Sequence, residues 1–418
     1  MLTKEALFTK DRAVHGRRLK SAAYSALFAA LLFAPVSISL FEIASSIFIA
    51  LAILAVIVNR DASKLKSALL WMSLIYLFFN LLSLTQTEYF VTSIRGALKI
   101  VKNVSLFVFV YYVLDEKDKW KRVMEWMLWV ALFVSIDAVI QGFLGRDVLR
   151  GRTMTPYHGD TKRLTGPFRH ANDFAAYLSF AAVFSMALLR DSHEIFKGRK
   201  KLLAAGAALL SLGCLIGTYS RGAWIAAAIA IFLYLAMRRS KILSLLAVSL
   251  IVFGLFFAPA QLKDRATSML DRNNNTFLER KDLWGESIRM IRQSPFLGHG
   301  ANTYARLEPQ FKDPGSTTDF QYAHNGYLQM ASEIGLLGLA SFIMVMAYAL
   351  WGALFSLKRT KDPYLKWAGR AAAFGILAFL IHSATDTNLQ SLLLINSLWT
   401  WVGILWAARR LSIQENLS

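Results

Sequence analysis

Basic and histidine side chains occupy a long polar stretch in a chain that is otherwise apolar. The stretch, residues 261–325, ends in Ala323-His324-Asn325, where a long apolar run begins. An arginine guanidinium can hold phosphate oxygens through two parallel hydrogen bonds, and a neutral imidazole can accept a proton. Such a set could bind an anionic leaving group and activate a hydroxyl. Its basic residues are Lys263, Arg265, Arg272, Arg280, Lys281, Arg289, Arg292, Arg306 and Lys312.

His324 is the candidate general base. It stands at the start of the apolar run that follows the polar stretch, so we expect it at the N-terminus of a helix. The helix dipole disfavours imidazolium there, which favours a neutral ring that can take a proton. The alternative is a histidine at the membrane interface that bonds a loop carbonyl.

Arg280 is a candidate for anion binding. Thr276 and Glu279 have the spacing of a capping box, which predicts a helix from there to about Arg292, ending before Ser294-Pro295. Arg280 falls on the same face of this helix as Trp284, among apolar residues. A guanidinium on that face indicates either an anion site or a structural salt bridge.

Arg221 joins two apolar runs with almost no loop between them, in Tyr219-Ser220-Arg221-Gly222. A charge at such a junction is a functional candidate, because burying it near a membrane is costly. Asp386, one turn after His382, is a candidate partner for one of the arginines or part of a structural ion pair. Further candidate supporting residues are Arg95, Arg163, Arg169 and Arg289.

The elements that must position these residues are membrane helices. The chain has 418 residues, of which 56% are hydrophobic and 18% are charged. Apolar runs recur along its whole length, and each is long enough to cross a bilayer as a helix. We predict an all-α polytopic membrane protein with about twelve spans, at residues 21–38, 41–58, 67–84, 97–114, 123–143, 173–189, 202–219, 222–237, 242–259, 326–356, 367–386 and 389–408.

Short basic connections fall on one side of this arrangement, which places both termini in the cytoplasm. Residues 1–260 then form nine spans, residues 261–325 a large outer loop with amphipathic helices, and residues 326–418 three spans and a cytoplasmic tail. The formal charge of +20 is explained mostly by basic residues that set the membrane topology and contact anionic lipid headgroups. We therefore expect no nucleic acid partner. Cys214 is the single cysteine and the outer acidic residues are scattered, so no metal site or cofactor is expected.

Several segments resemble the superfamily of O-antigen ligases and polymerases. The segments occur in the same order as in that family. One of them is the junction Ser220-Arg221-Gly222. Arg169 and His170 depart from the family pattern, which leaves their role open. The other similar segments are Arg163–Asn172, Arg280–Trp284, Ser294–Gly300, His324–Leu328 and Glu333–Gly338.

The resemblance implies a metal-independent, inverting membrane glycosyltransferase of the C-type fold. Its donor would be a polysaccharide on undecaprenyl pyrophosphate, and a ligase would transfer it to a sugar hydroxyl of the lipid A core at the periplasmic face of the bacterial inner membrane. Carried onto this chain, Arg221 and Arg280 would bind the pyrophosphate and His324 would deprotonate the acceptor.

Two alternatives to a ligase stay open. The same motifs are found in polymerases, whose acceptor is a second lipid-linked saccharide. A transporter or flippase for an anionic lipid-linked saccharide would also need outer arginines, but it would be expected to use broken helices and charges near the membrane midplane. The position where the basic residues converge therefore distinguishes an enzyme from a transporter.

Overall fold

The computed structural model describes residues 4–156, 161–238, 275–312 and 322–417, and helices dominate it. Nine helices of the described part are long and apolar enough to span a membrane. The helices are α1 (Lys4–Phe33), α2 (Ile38–Asn59), α3 (Ala68–Leu82), α4 (Phe90–Val113), α5 (Lys117–Leu144), α6 (Ala171–Arg190), α7 (Ser192–Ile195), α8 (Arg199–Gly217), α9 (Arg221–Met237), α10 (Asn275–Gln293), α11 (Tyr304–Leu307), α12 (Gly326–Arg359), α13 (Pro363–His382) and α14 (Leu392–Leu417).

The prediction of an all-α polytopic membrane protein is confirmed. Each predicted span coincides with one of these helices except residues 242–259, which lie outside the described residues. The predicted amphipathic helix of the large loop is α10, which ends at Gln293, directly before Ser294-Pro295. The side chains of residues 275–278, and with them the cap predicted at Thr276, lie outside the described part.

Side-chain caps explain where several membrane helices begin. Ser67 accepts a hydrogen bond from the amide of Leu70 at 3.1 Å, at the start of α3. Asp362 accepts one from the amide of Leu365 at 2.8 Å, at the start of α13. Each cap satisfies one of the amides that a helix leaves without an internal partner, which matters most where water is excluded.

The helices differ in how much of their surface other helices cover. Helices α6, α13 and α14 are mostly buried, and large apolar residues such as Phe174, Phe379 and Trp399 fill their contacts. Helices α2 and α3 expose large apolar side chains such as Ile57 and Trp71. Exposed apolar surface of that kind is expected of a helix that faces lipid.

Helix α12 is broken near its start by a loop that inserts beside it. Gly335 has φ 71° and ψ 176°, which ends the regular helix for one residue. His299 donates its amide to the carbonyl of Ser332 at 3.1 Å, and Leu336 donates its amide to the carbonyl of Pro295 at 2.8 Å. The loop therefore satisfies backbone groups that the break leaves free. Two of the sequence motifs, Ser294–Gly300 and Glu333–Gly338, thus bond to each other.

A short antiparallel ribbon is the one sheet among the described residues. Its strands β1 (Thr155–Pro156) and β2 (Lys162–Arg163) belong to the segment between α5 and α6. Leu164, which follows β2, donates its amide to the carbonyl of Gly217 at 2.9 Å. The ribbon therefore ties this segment to the end of α8.

One end of the bundle carries a compact set of charged and aromatic side chains, which we call the Asp191 cluster. Arg238 lies 3.0 Å from an oxygen of Asp191 and 3.1 Å from one of Glu194. Tyr234 donates to Asp191 and the indole of Trp367 donates to Glu194. The guanidinium of Arg238 also stacks 3.6 Å from the ring centre of Trp367. These residues join α7, α9 and α13 at the end of the bundle where α13 begins.

Candidate functional site

His324 is held in a conformation that few residues other than glycine adopt. Its φ is +47°, in the left-handed region. Asn325, the next residue, caps α12 by accepting hydrogen bonds from the amides of Tyr327 and Leu328 at 3.1 Å. Gly326 donates its amide to the carbonyls of Ser383 and Asp386. The chain therefore turns sharply at His324 and is tied at once to the segment that follows α13.

Asp386 is the carboxylate that faces His324. Its Oδ1 lies 3.3 Å from Nδ1 of His324 and also accepts the amide of Thr387 at 2.8 Å. Burial alone would raise the pKa of Asp386, but the hydrogen bond from His324 and the nearby charges of His324, His382 and Arg280 outweigh it and hold that pKa well below its usual range. An ionised carboxylate only accepts hydrogen bonds. Nδ1 of His324 therefore carries the proton in this contact, which makes Nε2 the basic nitrogen of the ring.

Arg280 lies beside this pair. Trp284, four residues further along α10, donates its indole N–H to the carbonyl of Ala323 at 3.1 Å, so this face of α10 packs against the residue before His324. Arg280 is half-buried, and its positive charge acts on both Asp386 and His382. The helix face that the sequence assigned to Arg280 and Trp284 is thus turned towards His324.

The Ser220-Arg221 junction meets the same segment from the other side. Tyr219 enters it with φ +53°, and Ser220 Oγ lies 3.5 Å from Nε2 of His382. A Cβ built on Gly222 would come within 2.1 Å of Thr385 Oγ1, so only glycine allows α9 to start this close to the end of α13. His324, Asp386, Arg280 and this junction are together called the His324 cluster.

His382 has a different role from His324. The side-chain amide of Asn388 donates to Nδ1 of His382 at 3.1 Å. The ring proton of His382 is therefore on Nε2 and points to Ser220. Both ring nitrogens are occupied by buried protein groups. We therefore assign His382 to holding the end of α13 against the start of α9.

Two of the candidate supporting arginines bond to backbone carbonyls. Arg163 donates to the carbonyl of Thr218 at 2.6 Å and to the side chain of Asn172 at 2.5 Å, just before the Ser220-Arg221 junction. Arg289 donates twice to the carbonyl of Phe311, at 2.6 and 3.0 Å. These contacts give both residues a part in positioning loops.

The other two candidate supporting arginines are exposed. Arg95 lies near the start of α4, and no contact joins it to the His324 cluster among the residues that the structure describes. Arg169 is next to His170, where partial burial and the charges of Arg169 and Arg152 lower the pKa of His170. The charge of Asp386 also acts on His170, so Arg169 belongs to the edge of the cluster rather than to its centre.

Asp173 is a residue that the sequence analysis missed. It lies in the first turn of α6, close enough to Asp386 for the two carboxylates to interact electrostatically. The signal available was its position directly after the similar segment Arg163–Asn172. Within the described ranges, no three His, Cys, Asp or Glu side chains are grouped closely enough to hold a metal ion.

Comparison with known proteins agrees with this arrangement of motifs. The model of the O-antigen ligase family matches residues 206–343. The exopolysaccharide production protein ExoQ of Rhizobium meliloti is 29% identical over 228 residues, which are 50% of this chain and 52% of that protein. An O-antigen ligase of Pseudomonas aeruginosa is 26% identical over 57% of this chain and 55% of its own length.

A third relative is aligned over more of the chain. The teichuronic acid biosynthesis protein TuaE of Bacillus subtilis is 22% identical over 76% of this chain and 67% of its own length. The matches to ExoQ and to the O-antigen ligase cover only about half of those proteins. The matched segment 206–343 contains Arg221, Arg280 and His324, and the resemblance to the O-antigen ligase superfamily that the motifs predicted is confirmed over that segment.

Proposed function

We propose that this protein is a membrane glycosyltransferase of the O-antigen ligase type. It transfers a polysaccharide from undecaprenyl pyrophosphate to a sugar hydroxyl of the lipid A core. The reaction takes place at the periplasmic face of the bacterial inner membrane, with both termini in the cytoplasm. The observation that carries the proposal is the His324–Asp386 pair, 3.3 Å apart, with Arg280 beside it and the start of α9 against the same turn.

His324 is the general base in this mechanism. The acceptor hydroxyl gives its proton to Nε2 while Nδ1–H stays bonded to Asp386, which also stabilises the imidazolium that forms. The acceptor oxygen bonds to the anomeric carbon, and the bond from that carbon to the phosphate oxygen breaks. Undecaprenyl pyrophosphate leaves with the electron pair. Attack opposite the leaving group inverts the anomeric centre.

Arg280 and Arg221 bind the pyrophosphate. Charge builds on the leaving group as the glycosidic bond breaks, and fixed cations aimed at it lower the barrier. The planar guanidinium suits phosphate oxygens because it offers two parallel donors. Arg280 is half-buried beside Asp386, where its charge is screened less than at an open surface.

The position of the cluster supports an enzyme over a transporter. His324 precedes α12, Arg221 begins α9 and Asp386 follows α13, so the cluster lies where three apolar helices begin or end. A transport path would be expected to place its charges near the middle of such helices.

A polymerase of the same family is the second candidate. It is favoured by the relatives ExoQ and TuaE, whose names refer to exopolysaccharide production and to teichuronic acid biosynthesis rather than to a ligase. The two functions predict different glycan products in a bacterial strain that lacks the protein. Loss of a ligase leaves long lipid-linked polymer unattached, whereas loss of a polymerase leaves single repeats attached to the acceptor.

The direct test is transfer by purified protein from lipid-linked polysaccharide to purified acceptor. His324→Ala should lower the transfer rate by roughly 10²–10⁴-fold, because it removes proton transfer to a positioned base. His193→Ala is the matched control, since His193 is exposed, near the opposite end of the bundle. Transfer by His324→Ala above about a tenth of the wild-type rate would show that another group is the base.

The role of the arginines predicts independence from metal ions. Transfer should continue in excess chelator, because guanidinium groups supply the charge that Mg²⁺ supplies in other enzymes. The measurement is the transfer rate with and without chelator, followed by adding Mg²⁺ or Mn²⁺. A rate that falls and returns only with the metal would contradict the mechanism.

A further inference from the structure

A polar cavity lies next to the His324 cluster and is separate from it. It measures about 550 Å³, counting the solvent at its open mouth, and lies between α3, α4, α12 and the loop that precedes α11. Its walls combine apolar side chains such as Ile100 and Ile395 with four amide side chains, those of Asn80, Asn103, Asn302 and Gln390. A concave site with a few polar groups on an apolar wall is typical of a ligand site.

Three of the amide oxygens of this cavity are unsatisfied. Asn80 Oδ1, Asn103 Oδ1 and Gln390 Oε1 are all buried, and none accepts a hydrogen bond from the residues that the structure describes. Asn80 and Asn103 are almost fully buried as whole residues, at 0% and 3% exposure. A buried acceptor without a donor costs free energy, so three in one cavity indicate a bound group that supplies the donors.

The missing donors restrict the chemistry of that group. The phosphate oxygens of a pyrophosphate only accept hydrogen bonds, and a prenyl or acyl chain neither donates nor accepts. Sugar hydroxyls donate, and the C–H face of a sugar ring can pack on an apolar wall. The one ammonium in the cavity wall, Lys99, donates to the side-chain oxygen of Asn302 at 3.0 Å, and among the described residues no hydrogen bond joins Lys99 to the three unsatisfied oxygens.

The cavity wall is bonded directly to the start of the helix that follows His324. Gln390 Nε2 donates to the carbonyl of Gly326 at 3.0 Å, two residues after His324. Leu389, also in the wall, packs against the same glycine. Gln390 is four residues after Asp386. A sugar in the cavity would therefore be adjacent to the reacting groups without replacing them.

We propose that this cavity is a saccharide subsite, in which Asn80, Asn103 and Gln390 accept hydrogen bonds from the hydroxyls of a sugar unit near the reacting one. The inference rests on the proposed glycosyl transfer. Two sources of the sugar share this chemistry, the donor polysaccharide and the acceptor core. Glu333 also lines the cavity. Its carboxylate accepts a hydrogen bond from the backbone amide of Asn302 at 2.9 Å, which fixes this part of the wall.

The kinetic test replaces Asn103 by leucine, which keeps the size of the side chain and removes the acceptor. The variant should raise the KM of one substrate roughly tenfold and change kcat by less than about threefold, because a bound hydroxyl loses its partner. Ser105→Ala is the control on the same helix, since its hydroxyl bonds only its own helix at Val101 and is not part of the cavity. A higher KM for the donor or for the acceptor identifies the source.

A binding test keeps the inference separate from the catalytic proposal. The probes are the oligosaccharide released by mild acid from the lipid-linked donor and the core oligosaccharide freed from the acceptor lipid. One of them should bind wild type and His324→Ala alike, and bind Asn103→Leu about tenfold more weakly. If wild type bound the oligosaccharide in this way but transferred nothing, the proposed function would be contradicted and the saccharide subsite would not. Unchanged KM values together with no glycan binding would show that the cavity holds only water and would overturn the subsite.

Discussion

The two ends of the same pair of helices carry very different charged clusters. Helix α9 begins at Arg221 in the His324 cluster and ends beside Arg238 in the Asp191 cluster, and α13 runs between the two in the opposite direction. In the Asp191 cluster each charged group faces an opposite charge or an aromatic ring, and Asp191 is fully buried. In the His324 cluster Arg280 and Arg221 are half-buried, and His324 has a strained backbone.

The difference indicates what each cluster is for. A closed ionic network in a buried position fixes the geometry of the helices and leaves no group to bind a ligand. A strained residue next to a buried carboxylate and partly exposed cations is the pattern of a site that binds and reacts, because the strain is maintained by the surrounding bonds. We therefore expect substitutions in the His324 cluster to lower activity and substitutions in the Asp191 cluster to lower stability.

The largest effect is expected for Asp386→Asn. An amide at this position carries no charge to stabilise imidazolium and does not fix the ring proton on Nδ1, so the transfer rate should fall on the order of 10²–10⁴-fold. The measurement is the transfer rate of folded protein, with melting temperature as the check on folding.

The pH dependence of that variant follows from the low pKa of Asp386. A carboxyl with a folded pKa below its ordinary value of 3.8 contributes stability above that value and loses it only as the pH falls through the folded pKa. The difference in melting temperature between wild type and Asp386→Asn should therefore stay constant from about pH 8 to about pH 5. A difference that shrinks over this range would mean that Asp386 is not ionised there.

A smaller effect is expected for lysine in place of arginine. Arg280→Lys and Arg221→Lys keep the charge but lose the second parallel hydrogen bond to phosphate, so each should lower turnover by about tenfold. The matched change at the other end, Arg238→Lys, removes the stacking on Trp367 and one of two ion-pair contacts. It should lower the melting temperature and leave the kcat of the folded protein unchanged. If Arg238→Lys lowered kcat as much as Arg280→Lys and Arg221→Lys do, the distinction between the two clusters would be wrong.

The hydrophobic pattern predicted the membrane helices well, because each long apolar run has no alternative to a helix in a bilayer. Residue types and positions also singled out His324, Arg280 and Asp386 as candidates, and the structure places these three residues close together, while their roles stay predictions. The orientation of Arg280 followed from its spacing to Trp284 on one helix. In each of these cases the information is local in the sequence.

Other features depend on contacts between distant segments. The break at Gly335 falls inside a continuous apolar run, and only the inserted loop from Pro295 to Gly300 explains how its backbone is satisfied. The carbonyl partners of Arg163 and Arg289 are also distant in sequence or set by loop geometry, so charge alone suggested an anion site. The proposed saccharide subsite combines Asn80, Asn103 and Gln390 from three parts of the chain, and none of these residues stands out alone in the sequence.

The smallest effect concerns the loop that carries Arg280. Glu286 lies on α10 and is fully buried beside Glu308. Burial, followed by the neighbouring carboxyl of Glu308, raises the pKa of Glu286 to about 7. A carboxyl whose folded pKa is raised disfavours folding once the unfolded form ionises, and this cost grows as the pH rises from about 4.5 to about 7 and then stays constant.

Glu286→Gln removes that cost, because an amide stays neutral at all pH values. The variant should melt a few degrees above wild type at pH 8, and the gain should shrink as the pH falls towards 5. The transfer rate at pH 7 should change little, since Glu286 packs within the loop near Tyr304 and outside the His324 cluster. A control with the same side-chain change at exposed Glu116 should not alter the melting temperature with this pH dependence. A gain in melting temperature that is independent of pH would mean that Glu286 does not titrate between these values. The expected pH dependence, with an unchanged transfer rate, would show that the stability of α10 can be changed without changing catalysis.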